Sequence, residues 1–356
     1  MRHAVIMAGG AGTRLWPLSR HNRPKQLLRL FAGKSLLRIA FERLRGVFEP
    51  EQIHIITVAD HLPMIAEELP ELPGANLIGE PVGRDTANAV GFSAAILARR
   101  DPDATIGVFT ADHLIRPEEV FACAVGRGLA AAEADPTALV TFGVTPTFAH
   151  TGLGYIHRGE RIDDDLYVVQ QFKEKPDEPT AERYVACGEY DWNSGMFAWR
   201  AEAILGELAR HLPASHEALV RIADGWDGPD GPRLAAELYP TLEKISIDFA
   251  VMERAARVLV VSMPVEWLDV GSWPAVGAAV GADEADNVVV APTHVKINSK
   301  NNIVVTEDDH LVALVGVENL VVIHSPDATL VCHQRESQRI KDLVAALQAQ
   351  HGKRFL

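Results

Sequence analysis

Residues 3–29 read HAVIMAGGAGTRLWPLSRHNRPKQLLR and hold the densest chemistry in the chain. An apolar run, His3–Ala8, stops at Gly9 and Gly10, with Gly12 close behind. Glycine lets a backbone turn sharply and lets a ligand approach bare N–H groups. Arg14, Arg20, Arg23, Lys25 and Arg29 follow in one short segment. A strand, a glycine-rich turn and then a helix together make an anion site. Residues 1–41 carry eight Lys or Arg and no acid, while the whole chain carries −14, so −22 falls on the rest. A bound polyphosphate is the simplest reason for a +8 opening on an acidic protein. The bland readings are a simple turn and a solvated basic face. Two familiar phosphate loops are excluded by spacing: the third glycine of G-x-G-x-x-G would fall on Leu15, and Leu28 stands where a Walker A loop before Gly33-Lys34-Ser35 needs its first glycine.

Other residue types suggest partners for that site. Asp112 closes the apolar run Thr105–Thr110. An acid there can hold magnesium, which takes one or two carboxylates and fills its shell with phosphate and water oxygens; alternatively it caps a turn. His113 orients a neighbour, since imidazole is a poor magnesium ligand. In Glu80-Pro81-Val82-Gly83-Arg84-Asp85-Thr86, either Asp85 or Thr86 can cap the following helix. Arg84 has no capping task and points to a phosphate or an acidic neighbour. Glu174 and Lys175, taken alone, read as a solvated strand end. Asn193 offers a donor and an acceptor, as a sugar hydroxyl requires, while Trp192, Met196 and Phe197 read as core. Asp248 can be an acid favoured at a helix start. Asp269 precedes a glycine turn and a helix start.

Together these strings carry a resemblance. GGAGTRLWPLSR followed by RPKQLL resembles the signature of the sugar-phosphate nucleotidyltransferases, specifically the mannose-1-phosphate guanylyltransferases. Glu80 to Thr86 resembles their E-P-x-x-R-x-T element, Thr110-Ala111-Asp112-His113 their T-A-D-H, and Thr151 to Ile156 their T-G-Y-G-Y-I loop, with Leu153 for the usual Tyr. Phe172 to Pro176 is similar to F-x-E-K-P, Trp192 to Phe197 to W-N-S-G-M-F, and Trp267 to Trp273 to W-x-D-V-G-S-W. The resemblance implies that Ala8, Gly9, Gly10, Gly12 and Thr13, with Glu80 and Arg84, hold the nucleotide. Arg14 grips the triphosphate and Lys25 meets the phosphates during transfer. Gly154, Glu174, Lys175, Asn193 and Asp248 take the sugar phosphate, and Asp112 and Asp269 hold Mg2+. The implied reaction joins GTP to mannose 1-phosphate and releases pyrophosphate. The implied end of the chain is a β-helix-like domain used for subunit contacts, hence a homodimer. No segment here could be the cupin-type isomerase domain of longer bifunctional relatives.

These residues must be positioned by a scaffold. Apolar β-branched runs at Ile53–Val58, Asn76–Gly79, Thr105–Thr110 and Leu139–Val144 alternate with helical spacing at Thr86–Arg99 and Pro117–Ala134. That alternation implies βαβ units, with ligands at the carboxyl ends of the strands. Strands then dominate from Thr151, Tyr167–Phe172 among them. Residues 201–242 read as helices broken at 213 and 228–232, Ser246–Glu253 starts another helix, and Val258–Met263 is a strand. From about 283, six short β runs with intervening turns suggest a small all-β unit, closed by an amphipathic helix over Arg335–Gln350. The expected fold is α/β: a Rossmann-like mixed, mostly parallel sheet flanked by helices (nucleotidyltransferase fold) over 1–282, then a small C-terminal β-helix-like domain over 283–356.

Composition excludes several classes. Hydrophobic residues make up 47% of 356, enough for a large core. The net charge argues against nucleic acid as a partner. No apolar run approaches the roughly 18 residues that span a bilayer, and the first apolar stretch is too short for a signal peptide. Cys123, Cys187 and Cys332 form no C-x-x-C pair and suit a reducing, cytoplasmic setting. Three alternatives remain at this point: a sister enzyme for another sugar 1-phosphate and nucleotide, a catalytically silent nucleotide-sugar sensor, and a nicotinamide-dependent oxidoreductase. The intact Arg14, Lys25, Asp112, Lys175 and Asp269 weigh against the second. The missing third glycine weighs against the third.

Overall fold

A computed structural model of the chain describes residues 1–10 and 12–356. Two compact units emerge. The first comprises Met1–Gly9, Phe41–Thr110 and Ile115–Trp267; the second comprises Gly10–Ala40, Ala111–Leu114 and Leu268–Leu356.

The strands run in chain order as β1 (Arg2–Met7), β2 (Ile53–Val58), β3 (Leu77–Glu80), β4 (Thr105–Thr110), β5 (His113–Arg116), β6 (Leu139–Val144), β7 (Tyr155–Asp163), β8 (Leu166–Lys173), β9 (Tyr190–Arg200), β10 (Val258–Met263) and β11 (Glu266–Asp269). The first unit is built on a nine-stranded sheet of order β3-β2-β1-β4-β9-β6-β10-β8-β7. Its first four strands are parallel, and β6 and β10 form a second parallel pair. β9 runs antiparallel between the two groups. The parallel strands are apolar on both faces, as a sheet covered by helices demands: every residue of β6 and β10 is buried. β2 lies on one side of β1 and β4 on the other, so the chain order switches there. Met7 stands opposite Thr110, and the two strand ends release the chain into Gly9-Gly10 and Ala111-Asp112. Such a switch point is where α/β sheets gather ligand-binding loops.

Helices Asp85–Arg100, Ala201–His211 and Pro213–Gly225 share one core with strand residues Val5, Ile56, Ile106 and Trp199. Gly91 permits their close approach, because a Cβ there would lie 2.7 Å from Leu208 Cδ1 and 2.8 Å from Leu219 Cδ1. The breaks expected at 213 and 228–232 are present: Pro213 opens one helix and Gly231 the next, Gly231–Leu238.

The second unit contains β12 (Val288–Val290), β13 (His294–Ile297), β14 (Ile303–Thr306), β15 (Val312–Val315), β16 (Leu320–Ser325) and β17 (Ala328–His333). β12-β14-β16 stack in parallel register, and so do β13 and β15, which is the coil-on-coil pattern of a β-helix. Its corners fall on Asn298, Asn301 and Asn319 at φ 48°, 50° and 61°, a left-handed conformation that asparagine tolerates. Buried Asn302 donates to Asn287 Oδ1 (3.0 Å) and to the Val317 carbonyl (3.1 Å), tying successive coils. The closing helix is Ile340–His351, preceded by a 3-10 segment. Leu15, Trp16, Leu28, Trp273, Ile303 and Ile323 belong to the core of this unit.

Three local expectations are corrected. Among the described residues no α-helix follows directly on the glycine turn: Thr13–Leu15 and Lys25–Leu27 are single 3-10 turns, and the next α-helix begins at Leu36. Pro17 and Pro24 explain this, since proline lacks the N–H that a helix interior needs. Neither Asp85 nor Thr86 caps its helix in the expected way. Asp85 lies inside the first turn at φ 66° and accepts from the adjacent Thr86 N–H, while Thr86 Oγ1 accepts from Ile247 N at 2.8 Å. The helix expected at Ser246–Glu253 is one π-helical turn, Asp248–Met252. Among the described residues no helix is long and apolar enough to cross a membrane.

Candidate active site

The second unit gathers the residues expected to handle phosphates. Gly10 and Gly12 sit at φ 101° and 56°, which only glycine adopts freely. A Cβ on Gly12 would lie 2.7 Å from Lys25 Cβ and 2.7 Å from Ser19 Oγ. The glycine turn therefore fits over the stem of Lys25. Gly9 and Gly10 are exposed, with nothing within 4 Å of where a Cβ would stand. The side of each residue where a Cβ would stand is open, which leaves room there for a ligand to approach.

Lys25 Nζ donates to Asp112 Oδ2, and the pair is mostly buried, with side chains 13% and 19% exposed. His113 Nε2 lies 3.9 Å from Asp112 Oδ1. Burial alone would raise the Asp112 carboxyl; the Lys25 ammonium and His113 outweigh it and hold the group below the usual carboxylate range. Asp112 is thus an anion at neutral pH. Its own carbonyl accepts from Val270 N at 3.1 Å, which fixes the segment that carries Asp269. Asp269 is exposed. A Cβ on Gly271 would lie 3.4 Å from Arg14 Nη1 and 3.5 Å from Asp269 Oδ1. Arg14 Nη1 donates to the Gly271 carbonyl at 3.5 Å, at the limit of a hydrogen bond. Arg14, Lys25, Asp112 and Asp269 thus belong to one neighbourhood. Two carboxylates with hard oxygen donors are the ligand set expected of a magnesium ion that takes its remaining oxygens from phosphate and water. The residues fit such a cation.

The first unit gathers the residues expected at the sugar phosphate. Asn193, on β9, donates through its backbone N–H to the Gly154 carbonyl (2.8 Å) and through Nδ2 to Asp248 Oδ1 (2.8 Å). A Cβ on Gly154 would lie 2.6 Å from Glu174 Oε2 and 3.5 Å from Asn193 Cβ. Lys175, at φ 43°, ion-pairs with Glu174. All five expected residues are together. Burial raises the Asp248 carboxyl, the Asn193 hydrogen bond opposes this, and the nearby Glu174 charge adds to it. The result is a polar, part-desolvated set of donors and acceptors, suited to hydroxyl groups. Trp192, Met196 and Phe197 are buried core, as read from the sequence.

Glu80 and Arg84 lie in the first unit with partners of their own. Glu80 is 5% exposed and accepts from the Tyr239 hydroxyl. Burial pushes its carboxyl up to about 7, against the opposing hydrogen bonds from Tyr239 and the Arg84 backbone. Arg84 Nη2 donates to the Pro240 carbonyl.

Several contributors were invisible in the sequence. Tyr239 holds Glu80 from 159 residues away. Glu253 has its carboxyl raised by burial, by Asp248 and by Glu174, so it shares their surroundings; the π turn is what carries it there, as its N–H reaches back to the Asp248 carbonyl (3.0 Å). Asp191 is fully buried two residues before Asn193, accepts from Ser262 Oγ at 3.0 Å and faces Arg158 at 3.7 Å, anchoring the start of β9. The +8 opening also has a further explanation. Arg2 pairs with Glu133, Arg20 with Asp327 and Arg23 with Glu307. Protein carboxylates therefore answer part of a charge for which a bound polyphosphate was the simplest reason.

Comparison with known proteins divides the chain in sequence, near residue 290, rather than by the two compact units. The sequence model of the nucleotidyl transferase family matches residues 3–286, and that of the MannoseP isomerase/GMP-like beta-helix domain matches residues 292–347. A mannose-1-phosphate guanylyltransferase of Klebsiella pneumoniae is 41% identical over 349 residues, 96% of this chain and 73% of that protein. One from Escherichia coli is 40% identical with the same coverage. Among solved structures, a protein of Thermus thermophilus described as a mannose-1-phosphate geranyltransferase superposes with a TM-score of 0.86 at 37% identity, covering 98% of this chain and 99% of that one.

Proposed function

The chain belongs to the nucleotidyl transferase family, among its mannose-1-phosphate guanylyltransferases, and on that premise we propose that it transfers GMP from GTP to mannose 1-phosphate. The products are GDP-mannose and pyrophosphate. A phosphate oxygen of the sugar attacks the α-phosphorus, and the bond from that phosphorus to the bridging oxygen of the β-phosphate breaks. The attacking oxygen is already ionised, so no general base is needed.

The difficulty is electrostatic. Two unit anions about 4 Å apart repel by ~1 kcal/mol in water and by more in a drier site. Several such pairs act together, so cations must be fixed in place beforehand. Arg14 would bind the triphosphate, and Lys25 would meet the phosphates as charge shifts toward the leaving group. Gly9, Gly10 and Gly12, with Ala8 and Thr13, would offer backbone to the nucleotide. Asp112 and Asp269 would hold Mg2+, which when bound supplies neutralising charge to the phosphate oxygens. Glu174, Asn193 and Asp248 would receive the sugar hydroxyls beside Gly154, and Lys175 the sugar phosphate. Glu80 and Arg84 would border the nucleotide.

One observation carries this reading: the glycine turn, Arg14, Lys25 and two carboxylates from separate segments belong to a single cluster. A homodimer through the β-helix is part of the proposal. The outward residues Val295, Ile297 and Val315 support it, since they are 52%, 54% and 66% exposed and Ile297 stands beside Val315 in the ladder. A cytoplasmic setting suits the three free cysteines.

The test is a panel of nucleoside triphosphates and sugar 1-phosphates assayed with Mg2+ for pyrophosphate release. GTP with mannose 1-phosphate should turn over best. A better rate with another pair would replace the substrate assignment, and no pyrophosphate from any pair would remove the activity.

A further inference from the structure

The stretch from Gly12 to Leu28 carries two proposed catalytic cations yet has little regular structure. Its backbone bonds are local: Leu15 N to Gly12 O (2.8 Å), Ser19 N to Leu15 O (3.0 Å), Arg20 and Arg23 with one another, and Leu27 N to Pro24 O (3.0 Å). A loop so built needs side chains to fix it, and the second unit provides them. Trp16 Nε1 donates to the Phe355 carbonyl at 2.7 Å, and the Trp16 carbonyl accepts from Trp273 Nε1 at 3.1 Å. Arg20 grips Asp327 with Nη2 at 2.7 Å and Nη1 at 3.3 Å, and its Nη2 also reaches Ser325 Oγ at 3.3 Å. Arg23 grips Glu307 through both terminal nitrogens. Paired, parallel contacts of this kind fix orientation as well as distance. Arg14 lies two residues before Trp16, and Lys25 two residues after Arg23.

We propose that Asp327 and Glu307, on the β-helix, are positioning residues for nucleotide binding. They hold the segment between Arg14 and Lys25 by clamping Arg20 and Arg23. They also answer two positive charges that would otherwise repel their neighbours along the loop. The β-helix is then part of the nucleotide site's framework, whatever its role in subunit contact. The kinetic side of this inference rests on the proposed reaction; the structural side does not.

The experiment compares wild type, Asp327→Asn, Glu307→Gln, their double variant, and the exchange Arg20→Asp with Asp327→Arg. Both KM values and kcat are measured, and amide hydrogen exchange is followed along the chain. The double variant should raise the KM for GTP about tenfold, equivalent to ~1.4 kcal/mol, while the KM for mannose 1-phosphate stays within about twofold. Exchange should quicken over residues 13–28 and stay unchanged elsewhere. The charge exchange should recover part of the GTP affinity lost in Asp327→Asn. Unchanged GTP KM together with unchanged exchange over 13–28 would overturn the proposal. So would an equal rise in both KM values with exchange quickened throughout, which marks a merely structural role. If wild type does not use GTP and mannose 1-phosphate, the proposed reaction fails and the exchange pattern alone decides the clamp.

Discussion

Lys25 Nζ donates to the carboxylate of Asp112, 87 residues further along the chain, in a pair that is mostly out of water. The proposed reaction assigns these two groups different tasks, yet the Lys25 ammonium also helps hold the buried Asp112 carboxyl in its ionised form. Removing either should therefore do more than delete a charge. Lys25→Ala leaves Asp112 part-buried and unpaired, and Asp112→Ala leaves the ammonium so, at a stability cost of about 1–2 kcal/mol. That is too little to unfold a protein of ordinary stability. Turnover should fall by roughly 10²-fold or more in each, the scale on which a preorganised charge acts. Pyrophosphate release and thermal melting, measured side by side, check this. Near-normal turnover in either variant would refute its assigned role.

Gly12 and Gly9 make a matched pair of tests. An alanine at 12 must adopt φ 56° and would press within 2.7 Å of the Lys25 and Ser19 side chains. It should lose roughly 2–4 kcal/mol from conformational strain and crowding, and kcat should drop because Lys25 is displaced. An alanine at 9 meets nothing within 4 Å. It should melt like wild type and show its effect only in the KM for GTP, since the added methyl intrudes where the nucleotide would lie. Equal melting temperatures for both variants would show that Gly12 is not packed over Lys25 as described.

The strands were legible because burial on both faces leaves an unmistakable apolar run: Ile53–Val58, Thr105–Thr110, Leu139–Val144 and Val258–Met263 are strands with the expected ends. The place of Asp112 was legible too, because its string directly abuts such a strand, whereas the strand that carries Asn193, Tyr190–Arg200, is buried unevenly and was read only as a motif. What stayed hidden depends on long-range pairing. Arg20 and Asp327 are 307 residues apart, and Arg23 and Glu307 are 284 apart; nothing local marks either acid as a partner. The sequence shows a block of positive charge but not which charges the fold itself consumes. The absent helix after Gly12 was foreseeable in part, since Pro17 and Pro24 both forbid it. The π turn at Asp248 had no local signal, because its sequence also fits an α-helix.

Asn193, Gly154 and Asp248 should govern the sugar phosphate without affecting the nucleotide. Gly154→Ala would drive its Cβ to 2.6 Å from Glu174 Oε2, the mobile end of a side chain. The fold should yield cheaply, and Glu174 should swing aside. Asn193→Ala removes the 2.8 Å donor to Asp248, leaving a part-buried acceptor without that partner and its carboxyl raised further. Each change should lift the KM for mannose 1-phosphate about tenfold, worth ~1.4 kcal/mol, with the KM for GTP held within about twofold. Steady-state kinetics with one substrate saturating at a time reads this directly. A matching rise in both KM values would contradict the assignment of these residues to the sugar.

Glu80 makes stability depend on pH in the direction opposite to a salt-bridged acid. Its carboxyl is pushed up to about 7 in the folded chain by burial, against an unfolded value of roughly 4.3. Between those values the native state holds a proton that the unfolded state has released. The slope of stability with pH is therefore negative there, and stability falls as pH rises from about 4.5 to 7. The full effect is on the order of 3–4 kcal/mol. Glu80→Gln keeps the shape and a neutral acceptor for the Tyr239 hydroxyl while removing the titration. Urea unfolding of both proteins between pH 5 and pH 8 should show the variant gaining on wild type as pH increases, by up to that amount. Parallel curves over the range would mean that Glu80 ionises in the folded chain as it does in water, and that Tyr239 meets a carboxylate throughout.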